Sequence, residues 1–148
     1  MRLLAFSVLL LALASAYSAA REETAAELKA RLESARPEER PELCIRIARQ
    51  QLRDADKLYS DGKIDQARDA VDDIVTYSEK ARDAATQTKK HLKNVEIDVR
   101  KIAEKLRDIK RTLVLEDQPP VEQAIRRLED VRTTLLKEMF AKEKKEKR

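Results

Sequence analysis

The chain has 148 residues, 41% of them Asp, Glu, Lys or Arg, with one Gly, four Pro and one Cys. That length supports a single domain with a modest core, and the composition suits long helices while leaving little for strands or turns. The formal net charge is +4, yet residues 21–136 balance at 25 basic against 25 acidic; only the C-terminus is basic, which argues against a polyanion-binding body.

The N-terminus reads as a secretory signal peptide. One basic residue, Arg2, precedes an apolar run from Leu3 to Leu13, and small residues follow, the layout that export machinery recognises. Two small-x-small sites fit cleavage, Ala14-Ser15-Ala16 and Ser18-Ala19-Ala20. The second is preferred because the polar Arg21-Glu22-Glu23 starts there. Cleavage near Ala20 makes the product periplasmic or secreted. The alternative is an uncleaved membrane anchor: Leu3 to Ala20 spans 18 residues, at the lower edge of the roughly 17–25 a bilayer requires.

Residues 21–40 read as a polar N-terminal helix and linker. The stretch 22–35 carries Ala25, Leu28, Leu32 and Ala35 down one side. So narrow an apolar face predicts only weak docking. A helical bundle domain is expected over 41–140. Its first helix starts at Pro41, a residue suited to a first turn. Ile45, Ala48, Leu52, Ala55 and Tyr59 recur at steps of 3 and 4, as a buried helical face requires. Gly62 should stop this helix.

From Ile64 the same 3/4 alternation runs through Ala67, Val71, Ile74, Ser78, Ala81, Ala85, Thr88, Leu92, Val95, Val99, Ile102, Leu106, Ile109 and Leu113, with no Gly or Pro between residues 63 and 118. Such a seam is coiled-coil-like. It is small and polar from Ser78 to Thr88 and aliphatic from Leu92 onward. The fold class is therefore all-α, in one of two forms. Folding back near residues 86–91 gives an antiparallel helical bundle. An unbroken helix over 64–115 gives a rod of about 75 Å with coiled-coil-like hairpins, and the absence of a terminator tips the expectation to the rod. A last helix follows Pro119-Pro120 with Val121, Ala124, Ile125, Leu128, Val131, Leu135 and Met139. It runs into a charged, basic tail over 141–148.

The stretch 52–75 carries Ala55, Leu58, Tyr59, Gly62, Ile64, Ala67 and Val71. It resembles the helix-turn-helix of a tetratricopeptide repeat, in which a small residue and an aromatic end the first helix, Gly makes the turn and Ala sits within the second. The resemblance implies a helical hairpin and a scaffolding role. It covers one copy, with no second at the family's period of about 34 residues.

The residue inventory names no catalytic, cofactor-binding or metal-binding residue. His91 is the one histidine and sits among lysines. Cys44, the one cysteine, makes an intramolecular disulfide or a paired-Cys metal or haem site impossible. It reads as a buried small hydrophobe or, less favoured, an intermolecular crosslinker. No Glu-x-x-His pair or Gly-rich phosphate loop occurs. Asp54/Asp56 and Asp72-Asp73 would hold a divalent cation only weakly. Outside the leader the aromatics are Tyr59, Tyr77 and Phe140, too few for single-stranded nucleic-acid platforms. The expectation is a non-catalytic helical interaction or structural module, scaffold- or adaptor-like, meeting protein through its helix faces. A weak homodimer through the middle of the long helix, Ala81 to Leu92, is one form of this, with Cys44 as a covalent trap. The alternative is polyanion or membrane-surface binding by the tail Lys137–Arg148, where Glu138, Glu143 and Glu146 interrupt the basic run and weaken such a patch.

Overall fold

A computed structural model describes residues 21–147. The expected signal peptide, residues 1–20, lies outside them, as does Arg148. Among the described residues the protein is all-α: α1 (Ala25–Ser34), α2 (Arg40–Ser60), α3 (Ile64–Thr88), α4 (Leu92–Thr112) and α5 (Gln118–Glu146), with a 3-10 turn at Leu115–Asp117.

α1 starts three residues inside the expected stretch because Thr24 forms a capping box. Its hydroxyl accepts from Glu27 N at 3.2 Å and Glu27 Oε2 accepts from Thr24 N at 2.8 Å, satisfying two otherwise orphaned donors. The helix docks more firmly than its narrow face suggested. Leu28 is 2% exposed and packs with Leu43 and Ile47 of α2. Lys29 reaches Asp73 of α3 at 2.6 Å. Leu43 and Ile47 form a second apolar stripe on α2, beside the expected stripe, and α1 covers it.

α2 ends in a Schellman arrangement. Gly62 N donates to Tyr59 O and Lys63 N donates to Leu58 O, with Gly62 at φ +73°. A Cβ at Gly62 would meet nothing within 4 Å. The glycine is there for backbone conformation, not space. The hairpin implied by the repeat resemblance is present, with Ala55, Tyr59, Ala67 and Val71 all buried.

The seam from Ile64 belongs to two helices, which corrects the expectation of one rod. Lys89 (φ 55°) and His91 (φ 64°) both adopt the left-handed conformation, and the chain reverses between them. No Gly, Asn or Pro marks the site. Left-handed backbone at a residue with a Cβ costs about 1–2 kcal/mol each. Reversal buries Leu92, Val95, Val99, Ile102, Leu106 and Ile109, each worth roughly 1.5–3 kcal/mol. Burial wins. Every seam position from Ala67 to Ile109 except Thr88 is buried.

Ion pairs fix how the two hairpins, α2–α3 and α4–α5, lie together. Arg49 pairs with Asp98 and Lys105 with Asp56, so α2 and α4 run parallel. Arg68 pairs with Asp117, Glu79 with Arg127 and Lys89 with Glu138, so α3 and α5 do too. Partners in these pairs stand 48 or 49 residues apart. The hairpins are thus stacked in register, like helix on like helix, and α2 lies antiparallel to α3 and α4 to α5. One core runs through the stack, with Ile74, Ile102, Leu106, Leu128 and Leu135 among its fully buried large side chains.

Candidate functional site

The groups that titrate or bind metals are mostly tied into the fold. Asp73 accepts from Lys29 and Gln51, and Asp54 accepts from Gln50. Asp56 is paired with Lys105. Among the described residues no three His, Cys, Asp or Glu side chains come together. Cys44 is 2% exposed, inside the core, and burial pushes its thiol up to about 11. A thiol so placed stays protonated and is not available to trap a second chain. The small-residue middle of the seam is also unavailable as a dimer surface, since Ala81 and Ala85 are fully buried inside the monomer. That version of the homodimer does not survive the chain reversal.

Charge closes the α4–α5 hairpin. Arg107 donates to Glu129, Arg132 donates to Glu129 and to Glu96, and Glu96 is 8% exposed. Burial raises the Glu129 carboxyl, but hydrogen bonds from Arg107 and Arg132 outweigh it and hold the group below the usual carboxylate range. A groove of about 510 Å³ between α2 and α4 contains Arg46, Arg49, His91 and Asp98. Its cations are already engaged, Arg46 with Glu23 and Arg49 with Asp98, so it offers an anion little.

What remains open lies at the two ends of the stack. Among the described residues the large exposed hydrophobic side chains are Val114 (62%), Leu115 (75%) and Phe140 (66%). Val114 and Leu115 form the α4–α5 connection. Beside it stand Asp117, paired with Arg68, and Asp65, whose side chain is 98% exposed. Phe140 is at the opposite end. The Lys89–Glu138 pair marks where α3 stops, and α5 continues from Met139 to Glu146, about 12 Å further at 1.5 Å per residue. Residues 141–147 are exposed throughout. Met139, Lys142, Glu143 and Glu146 line an open cleft with Lys89, His91 and Lys93 at the α3–α4 turn. Lys137, Phe140, Lys144 and Lys147 follow one another at helical spacing on a single face of α5.

In the sequence Phe140 stands just past Met139, the last position of the final helix's apolar stripe. The sequence does not connect the turn lysines with the tail, because 45 or more residues separate them in the chain and only the reversal at residues 89–91 joins them. None of the described helices is long and apolar enough to cross a membrane. The chain matches no protein-family model, no curated protein and no solved structure.

Proposed function

We propose that this chain is an exported, non-catalytic helical module that works by engaging protein surfaces in the periplasm or outside the cell. The observation that carries the reading is the α5 overhang. The end of α5, with Phe140 exposed beside the partly buried Met139, extends past the core, and an exposed aromatic on a projecting helix suits docking to a partner. A photo-crosslinking side chain placed at position 140 tests it in intact cells, with Arg100 on the exposed side of α4 as the control site. A discrete protein adduct formed from position 140 and not from position 100 supports the reading. No adduct above the control sinks it.

The second reading is binding to an anionic surface through the basic tail. It is favoured by Lys89, Lys90 and Lys93 lying at the foot of the tail, which widens the patch beyond residues 137–148. Binding to vesicles rich in anionic phospholipid that weakens with salt and is lost on truncation after Met139 is its test.

A further inference from the structure

The α3–α4 reversal is strained, and the residues around it carry the pattern of a continuous helix. Lys89 and His91 both hold left-handed backbone, at φ 55° and 64°, a conformation disfavoured for a residue with a Cβ. His91 makes no side-chain cap at the start of α4. Residues 86–93 contain no Gly or Pro, so none of them breaks a helix. The buried positions also keep helical phase through the turn. Ala81, Ala85, Leu92, Val95 and Val99 share one 3/4 spacing, with Thr88 between them. A straightened α3–α4 therefore presents both core stripes on one side. We propose that this chain exchanges its α4–α5 hairpin with a second copy, residues 64–112 becoming one helix and each α4–α5 hairpin packing on the other molecule's α2–α3 hairpin.

The contacts of the monomer set the geometry of the exchange. α4 runs parallel to α2 and hence antiparallel to α3. Two straightened helices then lie antiparallel about a twofold axis near residue 90, with the stripe of each facing the other. The core shared by the two hairpins re-forms between molecules, as do the pairs Arg68–Asp117, Glu79–Arg127 and Asp56–Lys105. Only the turn is given up. Straightening adds helical hydrogen bonds across residues 89–91 and releases two left-handed residues in each chain. Short strained hinges favour this kind of exchange. The entropy of association opposes it, and so do the exposed Lys89, Lys90 and Lys93 of both copies, which gather near the axis. The monomer therefore prevails in dilute solution, and the dimer forms where chains fold at high concentration. The exchange uses the chain's own core and is independent of any other protein that the module meets.

Isotopically light and heavy protein, mixed equally, unfolded in urea and refolded at about 1 mM, should yield a dimer separable by size exclusion. It should persist on dilution, because return to the monomer requires both hairpins to undock. A carbodiimide joins carboxylate–lysine pairs already in contact. Asp56 and Lys105, 3.3 Å apart on α2 and α4, should give light–heavy crosslinked peptides in about half of the dimer's pairs and in none of the monomer's. Lys29 and Asp73, 2.6 Å apart on α1 and α3, belong to one chain in both forms and should never mix. Position 91, which is exposed, supplies two variants of opposite sign. His91→Gly relieves the turn and should weaken the dimer about tenfold. His91→Ala keeps the strained turn, favours the helix and should strengthen the dimer about fivefold. Three results overturn the exchange: no dimer after concentrated refolding, a dimer whose Asp56–Lys105 peptides are all of a single isotope, or a dimer strengthened by His91→Gly.

Discussion

Arg132 of α5 donates its Nε to Glu96 Oε1 of α4 at 3.0 Å, with the Glu96 side chain 11% exposed and the Arg132 side chain 23% exposed. Removing one partner of a buried pair costs about 3–5 kcal/mol, because the survivor is left charged and unpaired. The groove here is partly open to water, so Arg132→Ala should cost about 2 kcal/mol by urea denaturation. Glu96→Ala in the same background should recover part of that loss. A double mutant as unstable as the sum of the singles would mean the two groups do not interact.

Acid should weaken this corner. The Glu129 carboxyl titrates below its ordinary value of 4.5 when folded, so its contribution is present above pH 4.5 and disappears as pH falls through the folded value. Glu129→Gln removes the charge at every pH. The stability gap between wild type and this variant should therefore be constant from neutral pH down to about 4.5 and close below it. A gap that widened on acidification would reverse the assigned direction of the shift.

Two positions of one seam should respond in opposite senses. Leu106 is fully buried, and Leu106→Ala should cost roughly 2–5 kcal/mol. Ser78 is equally buried, but its Oγ has no hydrogen-bond partner in the protein. Burying an unpaired hydroxyl costs about 1–3 kcal/mol, so Ser78→Ala should be neutral or stabilise by up to about 1 kcal/mol. Thermal melts of the two variants decide the matter. Similar small losses at both would mean that the stripe is not the core.

Helix type and core register were legible because the 3/4 spacing is local: the stripes on α2, α3, α4 and α5 name most of the buried aliphatic residues, though they miss Leu43, Ile47, Ala70, Val75 and Ala103. The place of the reversal was legible as a fold-back near residues 86–91, but the choice between it and a continuous helix was not, because neither Lys89 nor His91 is a residue type that announces a left-handed backbone. What selects the turn is burial of Leu92 to Ile109 against helices far away in sequence. Docking of α1 was hidden for a related reason. Leu28 alone is a poor face, and its value depends on Leu43 and Ile47, which lie off the main stripe of α2. The functional ends were half legible. Phe140 and the basic tail can be read directly, whereas their separation from Val114 and Leu115 by the whole length of the stack is a tertiary fact.

Cys44 should be inert in the native protein. The thiolate is the reactive form, and both its burial and its pKa of about 11 suppress it. Labelling with a thiol reagent at neutral pH should proceed only as fast as the bundle opens, and go to completion in denaturant. Rapid native labelling, or a disulfide-linked dimer formed in mild oxidant, would place Cys44 outside the core.

Export predicts a particular N-terminus. Cells expressing the full chain should yield a protein beginning at Arg21 in the exported fraction, as read by mass spectrometry of the intact chain. Recovery from the cytosol with Met1 through Ala20 still attached would refute the leader reading.

The chain reversal can be tested by the sign of one substitution. His91 is exposed, makes no side-chain cap hydrogen bond and holds a φ of 64°. Glycine tolerates that backbone, and a non-glycine residue pays about 1–2 kcal/mol for it. Glycine also gives the unfolded chain more freedom, a loss of about 0.4–1 kcal/mol. His91→Gly should therefore be net stabilising, by about 0.5–1 kcal/mol. Lys89 is the poorer test site, because replacing it also removes the ion pair to Glu138. Were residues 64–112 one continuous helix, position 91 would lie in its interior. Glycine in place of histidine there would then destabilise by about 0.3–0.5 kcal/mol. The two architectures differ in sign as well as size, so a urea midpoint for His91→Gly against wild type separates them. A raised midpoint at unchanged slope supports the reversal, and a lowered one restores the rod.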